Sequence, residues 1–227
     1  MNKEKIVSII ILVLVVGGIV GFAMFGSKKT ETPVAMTAEP VATVNGVDLT
    51  QADFDSQLAS AITSLKAQGT DTTSTSSVTA IKQQVLDNMI ANELVNQGVA
   101  KTGIKASDAD VEAQYQALVT QAGGADKFQA QLATANLTDA QLRANIAKQL
   151  TIQAFLLANI STSSATVTDA EVKKFYDDNA KGQTGVPAFK DVSAQIKQQL
   201  ILNKQQLLVN DFIAKLKATA TITTNLK

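Results

Sequence analysis

Apolar residues recur every three or four positions along most of the chain after residue 50, which is the spacing of one helix face. The pattern predicts a first helix from Thr50 and a long one over Ile81–Val95 that ends near Gly98 to Gly103. Later helices are predicted from Ser107 to Gly123, Ala125 to Asn136, Thr138 to about Asn159, from Thr168, and from about Val186 to Thr219. The residues expected to face inward on these later helices are Val111, Tyr115, Leu118, Val119, Phe128, Leu132, Leu142, Ile146, Leu150, Phe155, Leu157, Val172, Phe175, Tyr176, Val192, Ile196, Leu200, Leu207, Leu208, Phe212, Ile213 and Leu216.

Helix starts and one loop are marked by local chemistry. Thr50, Ser107, Thr138 and Thr168 are each followed three positions later by an acid or amide and then by a large apolar residue. This is the arrangement of a capping box, so the acids there are expected to be structural and not catalytic. Between the first two helices, "GTDTTSTSS" (Gly69–Ser77) is polar and of low complexity, which predicts an exposed loop.

Both ends of the domain carry strand patterns. "VATVNGVDLT" (Val41–Thr50) places Asn-Gly between two alternating runs, the strongest short-range signal for a hairpin. "ATATITTN" (Ala218–Asn225) alternates small or apolar residues with threonines. The apolar positions expected on one shared face are Ala42, Val44, Val47 and Leu49 in the hairpin, and Ala218, Ala220 and Ile222 in the last segment. The predicted fold is therefore mainly α, with a small antiparallel sheet that joins the two ends.

A long apolar run precedes this domain. "IVSIIILVLVVGGIVGFAMF" (Ile6–Phe25) contains no charge and has the length of a membrane-spanning helix, about 20 residues. We expect residues 1–5 in the cytoplasm, a signal anchor over residues 6–26, a flexible linker over residues 27–39 and a helical extracytoplasmic domain over residues 40–227. The alternative is a secreted protein, because Gly21-Phe22-Ala23 resembles a signal-peptide cleavage site.

The composition excludes several kinds of partner and active site. Basic and acidic residues number 20 each, and the basic ones are scattered, so no nucleic-acid partner is expected. The sequence contains no Cys and no His, which excludes the usual zinc sites and the Ser-His and Cys-His nucleophile pairs. The acid pairs Asp108/Asp110 and Asp177/Asp178 lack a glycine-turn loop, so neither a metal nor a cofactor is expected. The charges expected on a solvated face of the last helix are Lys190, Lys197, Lys204, Lys215, Asp191 and Asp211.

The order of these parts resembles a known family. "VATVNGVDLTQADFDSQL", then long helices, "VTDAEVKKFYDDN" and a final helix beginning "PAFKDVSAQIKQQLI" are similar to extracytoplasmic chaperones of the SurA/PrsA/PpiD type, with a SurA N-terminal-like domain. The family usually inserts a parvulin prolyl isomerase domain before the final helix. In the family, parvulin active sites use histidines. Here only "AKGQTGVPA" lies between Asn179 and Phe189, and no histidine is present, so the resemblance implies a non-enzymatic member that lacks this domain.

The resemblance implies a bacterial, membrane-anchored chaperone that binds unfolded or translocating polypeptides. A peptide-binding groove is expected on the two shorter helices, at Tyr115, Leu118, Phe128 and Leu132, although plain core packing is the favoured interpretation of each residue taken alone. Two other functions stay open, a prolyl isomerase with residual or no activity and an adaptor for one membrane partner. Possible partners include the secretion machinery or a second copy of the chain.

Overall fold

The computed structural model describes residues 39–160, 165–180, 183 and 185–226. Its elements, in chain order, are β1 (Ala42–Val44), β2 (Val47–Leu49), α1 (Gln51–Ala67), α2 (Thr75–Thr102), α3 (Asp108–Gln121), α4 (Ala125–Thr134), α5 (Asp139–Asn159), α6 (Asp169–Ala180), α7 (Phe189–Ala218) and β3 (Ile222–Thr224). The predicted class, mainly helical with a small antiparallel sheet, is confirmed.

The predicted membrane segment, residues 6–26, lies outside the described residues, as do the N-terminal residues 1–5 and nearly all of the predicted linker. Among the helices that the structure does describe, none combines the length and the apolar character needed to cross a bilayer.

The sheet joins the two ends of the described chain, as predicted. Its strand order is β2-β1-β3, and both pairings are antiparallel, with Val44 opposite Val47 on one side and opposite Ile222 on the other. Two expected positions are wrong. Ala218 is the last residue of α7, since the strand begins only at Ile222. Val47 is exposed, because it lies on an edge strand beside the turn.

The four predicted helix starts are confirmed. Thr138 and Thr168 form reciprocal boxes, in which the hydroxyl accepts from the third backbone N–H and the Gln141 or Glu171 side chain accepts from the capping residue's own N–H. At Thr50 and Ser107 the third residue is the shorter Asp, whose carboxylate instead accepts from the capping hydroxyl at 2.8 and 2.6 Å.

The predicted loop Gly69–Ser77 is too long at its end. Ser74 caps α2 by accepting from the Ser77 backbone N–H at 3.3 Å, so the helix already includes Thr75 to Ser77. Thr72 is buried, which the expectation of a fully exposed loop also missed. A serine hydroxyl that accepts from the backbone N–H three positions later is enough to cap the start of the helix.

In the described part of the chain, three apolar clusters hold most of the buried residues. The first joins the sheet to α1 and α2, the second joins the end of α2 to the end of α5 and to α7, and the third joins α3 and α4 to the start of α5. Because α2 and α5 each contribute to two clusters, they connect the sheet end of the molecule to the α3–α4 end.

Three residues predicted to face inward are exposed, Leu157, Phe175 and Leu207. Leu142 and Ile146 pack into the third cluster, whereas Phe155 packs into the second, so the buried side of α5 turns along its length. At 100° per residue, Leu157 continues the line of Leu142 and Ile146 beyond the elements that cover them. Leu207 lies on the opposite side of α7 from the buried Val209.

Helices α6 and α7 form an antiparallel hairpin joined by polar contacts. Lys197 Nζ lies 2.8 Å from Asp169, and Lys204 Nζ lies 2.6 Å from Glu171 and 2.7 Å from the carbonyl oxygen of Thr166. Two of the lysines predicted to lie on a solvated face therefore pair with α6. The two lysine side chains stay 44% and 34% exposed, so this face is solvated around the ion pairs.

Candidate binding surfaces

The structure brings together the four residues of the predicted groove, Tyr115, Leu118, Phe128 and Leu132. Three of them are more than nine-tenths buried in the third cluster, and Leu118 packs partly buried against it. The Tyr115 and Phe128 rings meet edge to face, with centroids 5.3 Å apart. In this conformation the four side chains hold α3, α4 and α5 together, and their predicted role in peptide binding stays a prediction.

A polar network covers the same cluster. The Tyr115 hydroxyl donates to Asp139 at 2.6 Å, and Gln129 Nε2 donates to both oxygens of that carboxylate at 3.1 Å. The Tyr115–Asp139 hydrogen bond raises the pKa of Tyr115 and lowers the pKa of the Asp139 carboxyl. Arg143 places its guanidinium carbon 3.8 Å from the centre of the Tyr115 ring and pairs with Glu112.

The sequence reasoning missed Asp139 and Arg143. Arg143 is the only arginine in the chain, and it follows Asp139 by four positions on one helix, so both side chains lie on one face. That spacing was the available signal in the sequence, whereas the contact with Tyr115, which lies 24 residues before Asp139, arises only in the fold. The hydrogen bonds of the network and its cation–π contact link α3, α4 and α5.

Four large apolar side chains are exposed in the described part of the chain: Val47 (44%), Leu157 (41%), Phe175 (37%) and Leu207 (61%). Three of them lie on α5, α6 and α7, and we call Leu157, Phe175 and Leu207 the C-terminal apolar residues. Their helices are neighbours, since α6 pairs with α7 and the ring of Phe155 on α5 lies 5.7 Å from that of Phe212 on α7. Single exposed apolar residues are common, so it is their occurrence on neighbouring helices that makes this region a candidate surface.

A cleft of about 320 Å³ lies at the end of the sheet away from the hairpin turn. Its lining combines apolar side chains with charged and amide groups: Glu39, Gln51, Phe54, Asp55, Leu58, Lys82, Asn225 and Leu226. The volume is near the lower end for ligand pockets, about 300 to 1,000 Å³. Asp55 accepts from Gln51 Nε2 at 2.8 Å, so part of the polar lining is internally satisfied. Within the described ranges no three acidic side chains are grouped to hold a metal ion.

Comparison with known proteins connects this fold to a family. The model of the SurA-like N-terminal domain family matches residues 1–156. Foldase protein PrsA of Clostridium kluyveri is 26% identical over 182 residues, which cover 73% of this chain and 53% of that protein. The PrsA of Clostridium perfringens is 26% identical over 172 residues, covering 71% of this chain and 49% of the relative. The chain thus spans about half the length of the curated relatives it matches.

A solved structure has the same fold. It comes from work on the virulence factor PEB4 and the periplasmic protein Cj1289, described as two structurally related SurA-like chaperones of Campylobacter jejuni. It superposes with a TM-score of 0.57 at 14% identity and covers 84% of this chain and all of that one. The family match extends over well more than half of the sequence and includes the hairpin and helices α1 to α4. The chain belongs to the family of SurA-like N-terminal domains.

Proposed function

We propose that this protein is a membrane-anchored, extracytoplasmic chaperone that binds unfolded or translocating polypeptides and assists their folding. The observation that carries the proposal is membership of the SurA-like N-terminal domain family, supported by relatives named foldases and a structural neighbour described as a chaperone. The uncharged run Ile6–Phe25 supports the anchor. It would hold the domain beside the membrane, where translocating chains emerge.

The C-terminal apolar residues are the proposed first contacts for a client. Each side chain is only partly exposed, so burial of its remaining apolar surface, at about 25 cal/mol per Å², gives weak attraction. Weak contacts spread over three helices suit a chaperone, because many different sequences can bind and leave again. The predicted groove residues Tyr115, Leu118, Phe128 and Leu132 would join such a surface if α4 moved away from α3 and α5.

Suppression of client aggregation tests this proposal. The full chain in lipid nanodiscs is added to a refolding, aggregation-prone client, and light scattering is followed over time. We expect suppression by the natural chain and a clear loss for the variant Leu157→Ser, Phe175→Ser, Leu207→Ser. Val47→Ser is the matched control, since Val47 is similarly exposed but lies on the hairpin.

The outcomes distinguish a failure of the chaperone proposal from a failure of the proposed client-binding residues. If the natural chain fails to suppress scattering at several-fold molar excess, the chaperone proposal is wrong. If it suppresses scattering and the triple variant does so equally well, clients bind elsewhere. If Val47→Ser reduces the suppression of scattering as much as the triple variant does, the effect is not specific to α5, α6 and α7.

We propose that the chain has no prolyl isomerase activity. The connection between Ala180 and Phe189 is short, and the sequence lacks the histidines that the resemblance associates with parvulin active sites. Cis-trans exchange of an X-Pro peptide takes about tens of seconds without a catalyst. Addition of the full chain should leave that rate unchanged, and a rate that rises with protein concentration would refute this part.

A further inference from the structure

The hairpin turn contains the only Asn-Gly pair in the sequence, Asn45-Gly46. Both residues have positive φ, 51° and 84°, as the tight two-residue turn requires. The turn is exposed to solvent. It follows β1 directly and lies close to the segment that leads into β3.

Asn45 is held from two directions. Its side-chain Oδ1 accepts from the Thr221 backbone N–H at 2.9 Å, and its Nδ2 donates to Gln97 Oε1 at 2.7 Å. The Asn45 backbone N–H also donates to the Thr221 carbonyl at 2.8 Å. One amide therefore connects the turn both to α2 and to the approach to β3.

Gln97 cannot easily accommodate a change in this amide. Its Nε2 donates to the Val44 carbonyl at 3.0 Å and to Glu93 at 2.7 Å, which fixes Oε1 as the atom that faces Asn45. The position opposite Gln97 Oε1 thus requires a donor, while the position opposite the Thr221 N–H requires an acceptor. A carboxamide at residue 45 supplies both.

We propose that Asn45 is a deamidation site that is protected while the sheet is closed and reacts when it opens. The Gly46 backbone nitrogen attacks Cγ of Asn45, the bond from Cγ to Nδ2 breaks, and the proton from the Gly46 nitrogen leaves with the amine as ammonia. Water then opens the resulting succinimide to aspartate or isoaspartate. Glycine favours the attack because it has no side chain to shield its nitrogen.

The closed sheet opposes this reaction geometrically. Cγ must swing toward the Gly46 nitrogen, but both terminal atoms of the Asn45 amide are bonded to groups on α2 and next to β3. The attack therefore needs these bonds to open, and the rate follows the fraction of molecules in which the sheet is locally open.

The deamidated chain should form the closed sheet less well than the chain with Asn45. A carboxylate at residue 45 presents an acceptor to Gln97 Oε1, and it lies near the Glu93 carboxylate that shares Gln97. Isoaspartate also adds a backbone carbon to a turn whose register allows only two residues. Opening of the sheet followed by deamidation of Asn45 is thus irreversible. It leaves a chemical modification on chains whose ends have separated.

Peptide mapping by mass spectrometry tests the proposal on the full chain in nanodiscs at mildly alkaline pH, with and without urea. We expect deamidation at Asn45 to be at least about tenfold slower without urea, which corresponds to about 1.4 kcal/mol of local protection. Gln97→Leu should speed the reaction in the folded chain and not in urea. Gln84→Leu is the matched control, since Gln84 lies on the same helix and bonds Asn88 instead.

Three results would overturn the proposal: equal rates with and without urea, a Gln97→Leu rate equal to that of Gln84→Leu, or an Asn45→Asp variant that melts at the natural temperature. The melting temperature of Asn45→Asp does not depend on reaction rates. It therefore tests by itself whether a carboxylate at residue 45 weakens the closed sheet.

Discussion

Helices α2 and α5 approach each other closely at Gly98. A methyl group at this position would place Cβ 2.5 Å from Cζ of Phe155 and 3.1 and 3.2 Å from the two Cε atoms of that ring. Phe155 is buried, and its ring packs 5.7 Å from that of Phe212, so it has little room to turn. Gly98→Ala therefore tests how tightly the second cluster is packed.

Two opposing effects set the size of the change. Alanine in a helix interior is favoured over glycine by about 1 kcal/mol. Overpacking a well-packed core costs about 1 to 3 kcal/mol. The sum predicts that Gly98→Ala lowers the free energy of unfolding by up to about 2 kcal/mol, and for a domain of this size each kcal/mol shifts the melting temperature by about 2 to 4 °C.

A second substitution, at Phe155, reverses the expected effect of Gly98→Ala on the free energy of unfolding. Phe155→Leu destabilises the domain by itself, but it removes the Cε and Cζ atoms that the new methyl group would meet. In that background Gly98→Ala should raise the free energy of unfolding by up to about 1 kcal/mol, because only the helix preference remains. Urea denaturation followed by circular dichroism measures all four chains of this cycle. Stabilisation by Gly98→Ala in the natural background would refute the close approach.

Other contacts give further predictions. Removing Ile222–Lys227 should lower the melting temperature, because β1 loses one of its two partners, and an unchanged transition would show that the pairing adds nothing. Tyr115→Phe, which loses only the bond to Asp139, should lower the melting temperature less than Tyr115→Leu, which also loses the ring contacts; equal losses would contradict this order. Hydrogen bonds from Lys204 and from the N–H and hydroxyl of Thr168 lower the pKa of Glu171 from 4.5 to about 2, so their stabilisation is complete above pH 4.5 and disappears as the pH falls toward 2. Glu171→Gln should flatten the acid side of the melting curve in that window, and identical slopes would count against these hydrogen bonds to the Glu171 carboxylate.

The features predicted best from the sequence depend on neighbouring residues alone. A hydroxyl with an acid or amide three positions later marked four helix starts, and Asn-Gly marked the hairpin, because each of these structures forms within a few residues. Ser74 shows the limit of the same signal, since its helix start was hidden within a run of hydroxyl residues.

Which side of a long helix is buried depends on its neighbours, and these change along α5 and α7. Phe155 and Ile146 face different clusters, so no single stripe describes α5, and the same holds for α7 between Lys197 and Val209. Leu157 and Leu207 were misplaced for this reason. A periodic pattern states that a helix has an apolar side, but it does not show where the covering element ends.

Helix α7 links the closing sheet to the α6–α7 hairpin. Its last turns meet the first cluster through Leu216, and Lys217 pairs with Asp87 of α2 at 2.8 Å, directly before the strand that pairs with β1. Near its start, the contacts to α6 come from Tyr176, whose hydroxyl donates to the Pro187 carbonyl at 2.7 Å and whose ring meets that of Phe189. The two sets of contacts share one helix but no residues. In the described part of the chain, the contacts at the start of α7 are thus separate from those at its end, and α7 itself links the two sets.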